Sequence, residues 1–109
     1  MGWALAAPRS ALDGRDVVRV ALHGRRLALY RLDGAVFATS DVCPHAGASL
    51  SDGCVVEGYI ECPVHRALFD IRTGAADGSI TARAVATFAA KVEGDDIYVD
   101  IPTGEESTR

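Results

Sequence analysis

No stretch of this chain approaches the ~20 consecutive apolar residues that a membrane span needs, and no charged segment followed by an apolar run marks its N-terminus as a secretion signal. These absences point to a cytoplasmic protein without a membrane partner. Basic clusters are missing too: 11 Lys and Arg stand against 15 Asp and Glu, a formal net charge of -4. That balance argues against nucleic acid, which selects clustered cations. It is compatible with an acidic face that meets a basic protein. No segment keeps a helical period over three turns, and there is no internal repeat or low-complexity linker. The chemistry of most enzymes is also absent. There is no Ser/His/Asp set and no glycine-rich phosphate loop, and 109 residues are too few to build both a core and a deep pocket. Three cysteines are an odd number. Without a secretion signal they read as metal ligands or thiols rather than as a disulfide framework.

What is present is a period of two. "DVVRVAL" (16–22), "RLALYRL" (26–32) and "AVFAT" (35–39) are short apolar or β-branched runs separated by turn sequences at His23-Gly24 and Asp33-Gly34, a β-meander. "ALFDI" (67–71), "AVATFAAKV" (84–92) and "IYVDI" (97–101) supply further strands. Many short strands at this spacing predict an all-β chain, an antiparallel sandwich or small barrel. Trp3, Tyr30, Phe37, Phe69 and Phe88 read as core fillers, and His23 as a solvated turn residue. The final "PTGEESTR" (102–109) reads as a polar C-terminal tail.

The segment "CPHAGASLSDGCVVEGYIECPVH" (43–65) holds all three cysteines and two of the three histidines. It contains two ligand pairs, Cys43 with His45 and Cys62 with His65, each stiffened by a proline (Pro44, Pro63). A purely structural role suits one isolated Cys or His but accounts poorly for two matched pairs. Structural zinc would take two thiolates and two imidazoles, yet its usual arrangement pairs Cys with Cys and His with His. Fingers that each carry one of both suit a binuclear cluster, with the thiolates on one iron and the imidazoles on the other. Cys54 lies outside both fingers and reads as a thiol at a turn entering a strand. Arg66, directly after His65, could meet a partner's carboxylate or simply be solvated.

"CPH", 16 residues, then "CPVH" resembles the Rieske [2Fe-2S] motif. "LALYRLDGAVFATSDVCPH" and "IECPVHRALFDIRTG" extend the resemblance to the small Rieske ferredoxins of bacterial aromatic ring-hydroxylating dioxygenase systems, over about residues 3 to 101. The resemblance implies a Rieske fold: an antiparallel β-sandwich base with a small cluster-binding subdomain of two loops at about 43–65, in a single domain over 1–101. It implies one [2Fe-2S] cluster, with Cys43 and Cys62 on the inner iron and His45 and His65 on the outer. Both irons would then be fully ligated, so the expected role is electron transfer rather than catalysis. A flavin-containing, NADH-dependent ferredoxin reductase would be the donor and a terminal Rieske oxygenase the acceptor, with the carrier a soluble monomer. The competing implication is a fixed Rieske-like small subunit of a nitrite reductase, or a redox-sensing module. The loop "AADGSITAR" (75–83) lacks the proline that such ferredoxins often carry there. High-potential respiratory relatives carry a loop disulfide and two hydroxyls aimed at the cluster sulfurs. Here the matching positions are Ala48, Val64, Ala67 and Phe69, which implies a potential near the bottom of the Rieske range, about -150 mV.

Overall fold

The computed structural model describes residues 2–44, 47–64, 66–78, 80–81 and 83–101. Among these the chain is built from ten strands and two short 3-10 turns. β1 (Gly2–Pro8), β10 (Asp96–Ile101) and β9 (Ala90–Glu93) form one antiparallel sheet. β2 (Val17–Leu22), β3 (Arg25–Leu32), β4 (Ala35–Ser40) and β8 (Thr87–Phe88) form a second, and β5 (Cys54–Val56), β6 (Tyr59–Glu61) and β7 (Leu68–Asp70) a third. The meander expected from 16 to 39 is present as β2, β3 and β4. Its two hairpin turns place His23-Gly24 and Asp33-Gly34 at positive φ, the geometry that matches the right-handed twist of the flanking strands. His23 is exposed at its turn, as expected.

The four-stranded sheet is the middle layer, and β3 explains how. Its residues Leu27, Ala28, Leu29 and Tyr30 are all buried. Successive side chains of a strand point to opposite faces. Leu27 and Leu29 pack with Ile97, Val99 and Ile101 in one core, while Ala28 and Tyr30 pack with Ile60, Phe69 and Ile71 in another. The first core joins the two larger sheets as a sandwich; the second joins the middle sheet to the small one and its loops. A strand buried on both faces reads as a continuous apolar run, which is why "LALY" lacks polar alternation.

Three sequence expectations are corrected. Trp3 is not a core filler: it is 46% exposed. Strand β1 pairs with β10 so that Trp3 and Leu5 oppose Asp100 and Tyr98, while Ala4 opposes Val99 on the core face; a bulge then brings Ala7 opposite Ile97. The core side of β1 is therefore alanine, and Trp3 lies outside, with the Lys91 ammonium 4.3 Å from its ring centroid. Phe37 and Phe88 are half-buried, packed at the margins of the two cores, whereas Tyr30 and Phe69 are buried as expected. The run 84–92 is not one strand: β8 joins the middle sheet and β9 the outer one, so the chain changes layers at Ala89. The tail at 102–109 lies outside the described residues.

Candidate metal-cluster site

Two loops of the second core carry Cys43 and Cys62. The first leaves the end of β4; the second links β6 to β7. They share one hydrogen-bonding plan. The Cys43 N–H donates to the Ala48 carbonyl (2.8 Å), and the Gly47 N–H donates back to the Cys43 carbonyl (2.8 Å). In the second loop the Cys62 N–H donates to the Ala67 carbonyl (2.8 Å), and the Arg66 N–H to the Cys62 carbonyl (3.0 Å). Each turn needs a left-handed residue four positions after its cysteine: Gly47 (φ 71) in one loop, Arg66 (φ 61) in the other. Glycine takes that conformation without a steric penalty, while a residue with a Cβ loses about 1 kcal/mol or more.

The first loop is tied down by a residue the sequence reading passed over. Asp41 is fully buried. Its Oδ1 accepts the Ser51 N–H (2.7 Å), its carbonyl accepts the Leu50 N–H (2.7 Å) and its own N–H donates to the Arg26 carbonyl (2.9 Å). The Arg26 guanidinium lies 3.9 Å from Oδ2 and donates to the Ser49 hydroxyl at 2.6 Å, which Arg19 also reaches at 3.1 Å. Both ends of the segment from Asp41 to Ser51 are thus held to β3. The available signal was position: an acidic residue one step past an apolar strand, two before the first cysteine. Beneath it, the Thr39 hydroxyl donates to the Ser40 carbonyl (2.8 Å), so the Tyr30 hydroxyl, 2.9 Å away, donates to Thr39. Burial is the main reason the Tyr30 phenol is held well above its ordinary range; nearby Asp41 pushes the same way and the Thr39 hydrogen bond opposes it.

The structure brings Cys43 and Cys62 into the same buried contact cluster, at 1% and 0% exposure, among Leu50, Ile60, Ala67 and Phe69. Neither is in a disulfide. Two thiolates in so apolar a setting are costly unless a cation takes their charge, so this donor pair fits an iron–sulfur group bound at that point. His45 and His65 lie outside the described residues. Cys54 is an exposed thiol at the start of β5, outside that core. Ala67 and Phe69, the two positions where hydroxyls are lacking, are buried beside the cysteines, and Val64 is exposed at the loop tip. The loop after Gly74 is closed at its base by the Val85 N–H donating to the Gly74 carbonyl (2.9 Å).

A three-layered antiparallel β scaffold thus buries one cysteine from each of two matched loops in a single core, an arrangement suited to a protein that carries a metal cluster. The chain belongs to the Rieske [2Fe-2S] domain family, whose match covers residues 2–89; one [2Fe-2S] cluster is its cofactor. It is 34% identical over 99 residues to the ferredoxin component of the naphthalene 1,2-dioxygenase system of Pseudomonas aeruginosa, covering 91% of this chain and 95% of that one. Among solved structures it resembles the Sphingomonas yanoikuyae B1 ferredoxin, with a TM-score of 0.84 and 31% identity over 93% of this chain and all of that one. A chain in the complex of reduced oxygenase and oxidised ferredoxin of carbazole 1,9a-dioxygenase is also similar (TM-score 0.80, 33% identity, 89% of this chain and 91% of that one).

Proposed function

We propose that this chain is a soluble Rieske ferredoxin that carries single electrons from an NADH-dependent flavin reductase to the terminal oxygenase of an aromatic ring-hydroxylating system. Cys43 and Cys62 hold the inner iron as thiolates, and His45 and His65 the outer iron as imidazoles. The bound cluster supplies one-electron redox chemistry. Residues 1–101 act as one Rieske domain, with the cluster subdomain at about 43–65.

The observation that carries the proposal is the pair of matched loops, which bury both cysteines in one core directly ahead of "PH" and "PVH". The protein's own contribution is rigidity. Asp41 and Ser49 anchor one loop, the β6–β7 hairpin holds the other, and the apolar core keeps water from the thiolate side. Several relatives are named as ferredoxin components of dioxygenase systems, which supports the carrier reading. Among the described residues no helix is long and apolar enough to cross a membrane, and the carrier works in the cytoplasm as a monomer.

The test reconstitutes the path. NADH and a flavin-containing ferredoxin reductase should bleach the oxidised cluster spectrum, and the reduced protein should support substrate turnover by an aromatic-ring terminal oxygenase. Gel filtration should give a single-chain size. Obligate co-purification with a large reductase subunit would instead identify a fixed subunit of the nitrite reductase kind.

A further inference from the structure

Arg66 occupies a position its own loop does not ask of it. The first cysteine loop makes the same turn with the same pair of hydrogen bonds, and there the left-handed residue is Gly47. Glycine is therefore sufficient to build this turn, yet the second loop carries an arginine at φ 61. The arginine is exposed, and among the described residues its guanidinium makes no hydrogen bond or ion pair. Nothing within the described fold offsets the strain.

Its surroundings show what the charge can do. The two loop segments 42–51 and 62–69 contain no other Asp, Glu, Lys or Arg, and next to Arg66 the tip formed by Pro63 and Val64 is exposed. Arg66 is thus the one charged residue of these two segments, beside an apolar tip on a chain of net charge -4, whereas the Arg19 and Arg26 guanidinium groups that reach Ser49 in the first loop lie close to the carboxylates of Asp52 and Asp41. One guanidinium with an apolar collar suits a partner that presents one carboxylate within an apolar patch. A polyanion would need several cations and would be repelled by the rest of the surface.

We propose that Arg66 is a docking residue whose guanidinium binds a carboxylate of the terminal oxygenase when the ferredoxin delivers its electron. The inference rests on the carrier reading above. The oxygenase is chosen over the reductase because an oxygenase–ferredoxin complex is the assembly recorded among the structural neighbours.

The experiment measures binding of the cluster-loaded wild type and of Arg66→Gly, Arg66→Lys and Arg66→Glu to the oxygenase of carbazole 1,9a-dioxygenase, at low and high salt. Iron content, melting temperature and reduction by a ferredoxin reductase are followed in parallel. Arg66→Gly should keep its iron and melt no lower than wild type, because strain is relieved, yet bind the oxygenase about five- to tenfold more weakly at low salt. Arg66→Lys should retain most of the affinity and Arg66→Glu should lose more. The differences should fade as salt screens the pair. Unchanged affinity in Arg66→Gly would overturn the assignment and leave the carrier reading standing. A lower melting temperature or lost iron would make Arg66 structural instead. Slower reduction by the reductase with oxygenase binding intact would assign it to the wrong partner. A wild type that neither binds the oxygenase nor passes it an electron would count against the carrier reading itself.

Discussion

Replacing Asp41 by alanine isolates how the first ligand loop is held. Three quantities decide the outcome. The Ser51 N–H loses a charged acceptor at 2.7 Å, and a hydrogen bond to a charged group contributes about 1.5–3 kcal/mol. The Arg26 pair is long, 3.9 Å, and its guanidinium is half in solvent, so its loss adds less than about 1 kcal/mol. Against these, Oδ2 is buried without a hydrogen-bond partner, and relieving its desolvation returns about 1 kcal/mol. The net expectation is a loss of about 2 kcal/mol, which for a domain of this size lowers the melting temperature by roughly 10 °C. Asp41→Asn keeps the acceptor and should lose about half as much. The assay is thermal unfolding of the cluster-loaded protein followed by its visible absorbance, together with the rate at which a chelator removes iron. That rate should rise in Asp41→Ala because Cys43 lies two residues along the loosened loop. An alanine variant within about 0.5 kcal/mol of wild type, or one that releases iron no faster, would refute the anchoring role.

Two further outcomes follow from the same core. The wild-type reduction potential should lie near the bottom of the Rieske range, about -150 mV, and Ala67→Ser with Phe69→Tyr should raise it by adding hydroxyl donors in the dry core beside the cysteines; protein-film voltammetry that found a wild-type value above zero, or no change in the double variant, would contradict this. The buried Tyr30 phenol titrates above its ordinary value of 10.0, so stability is fully present below pH 10 and falls as the pH rises past it, where the unfolded chain releases the proton first. Urea unfolding of Tyr30→Phe should lack that alkaline decline, and an unchanged slope would assign it to other groups.

The parts of the fold that were readable from the residues are those with local punctuation. Asp33-Gly34 lies between apolar runs, and β3 and β4 form on either side of it. Strand β1 escaped notice because its core-facing residues are alanines and its large side chains, Trp3 and Leu5, point outward through pairing with β10, nearly the whole chain away. Strands β5 and β6 have three residues each, too short to show any period. The break at Ala89 depends on two sheets competing for one apolar run, a tertiary choice without a local signal. The pairing of the two cysteine loops was legible for the opposite reason: four residues of two types, Cys and His, at fixed spacings are a chemical pattern independent of where the strands begin, and the structure brings Cys43 and Cys62 into one core. Asp41 was not legible, since its burial depends on Arg26 and Ser51, distant in sequence or lacking any motif.

Metal and sulfide analysis joined to the spectrum of the reduced state tests the central claim most directly. The purified protein should contain about two irons and two acid-labile sulfides per chain, and its reduced form should show the low average g value of a histidine-ligated cluster. His45→Cys or His65→Cys should shift that signature or abolish the cluster. One zinc per chain with no sulfide would contradict the account.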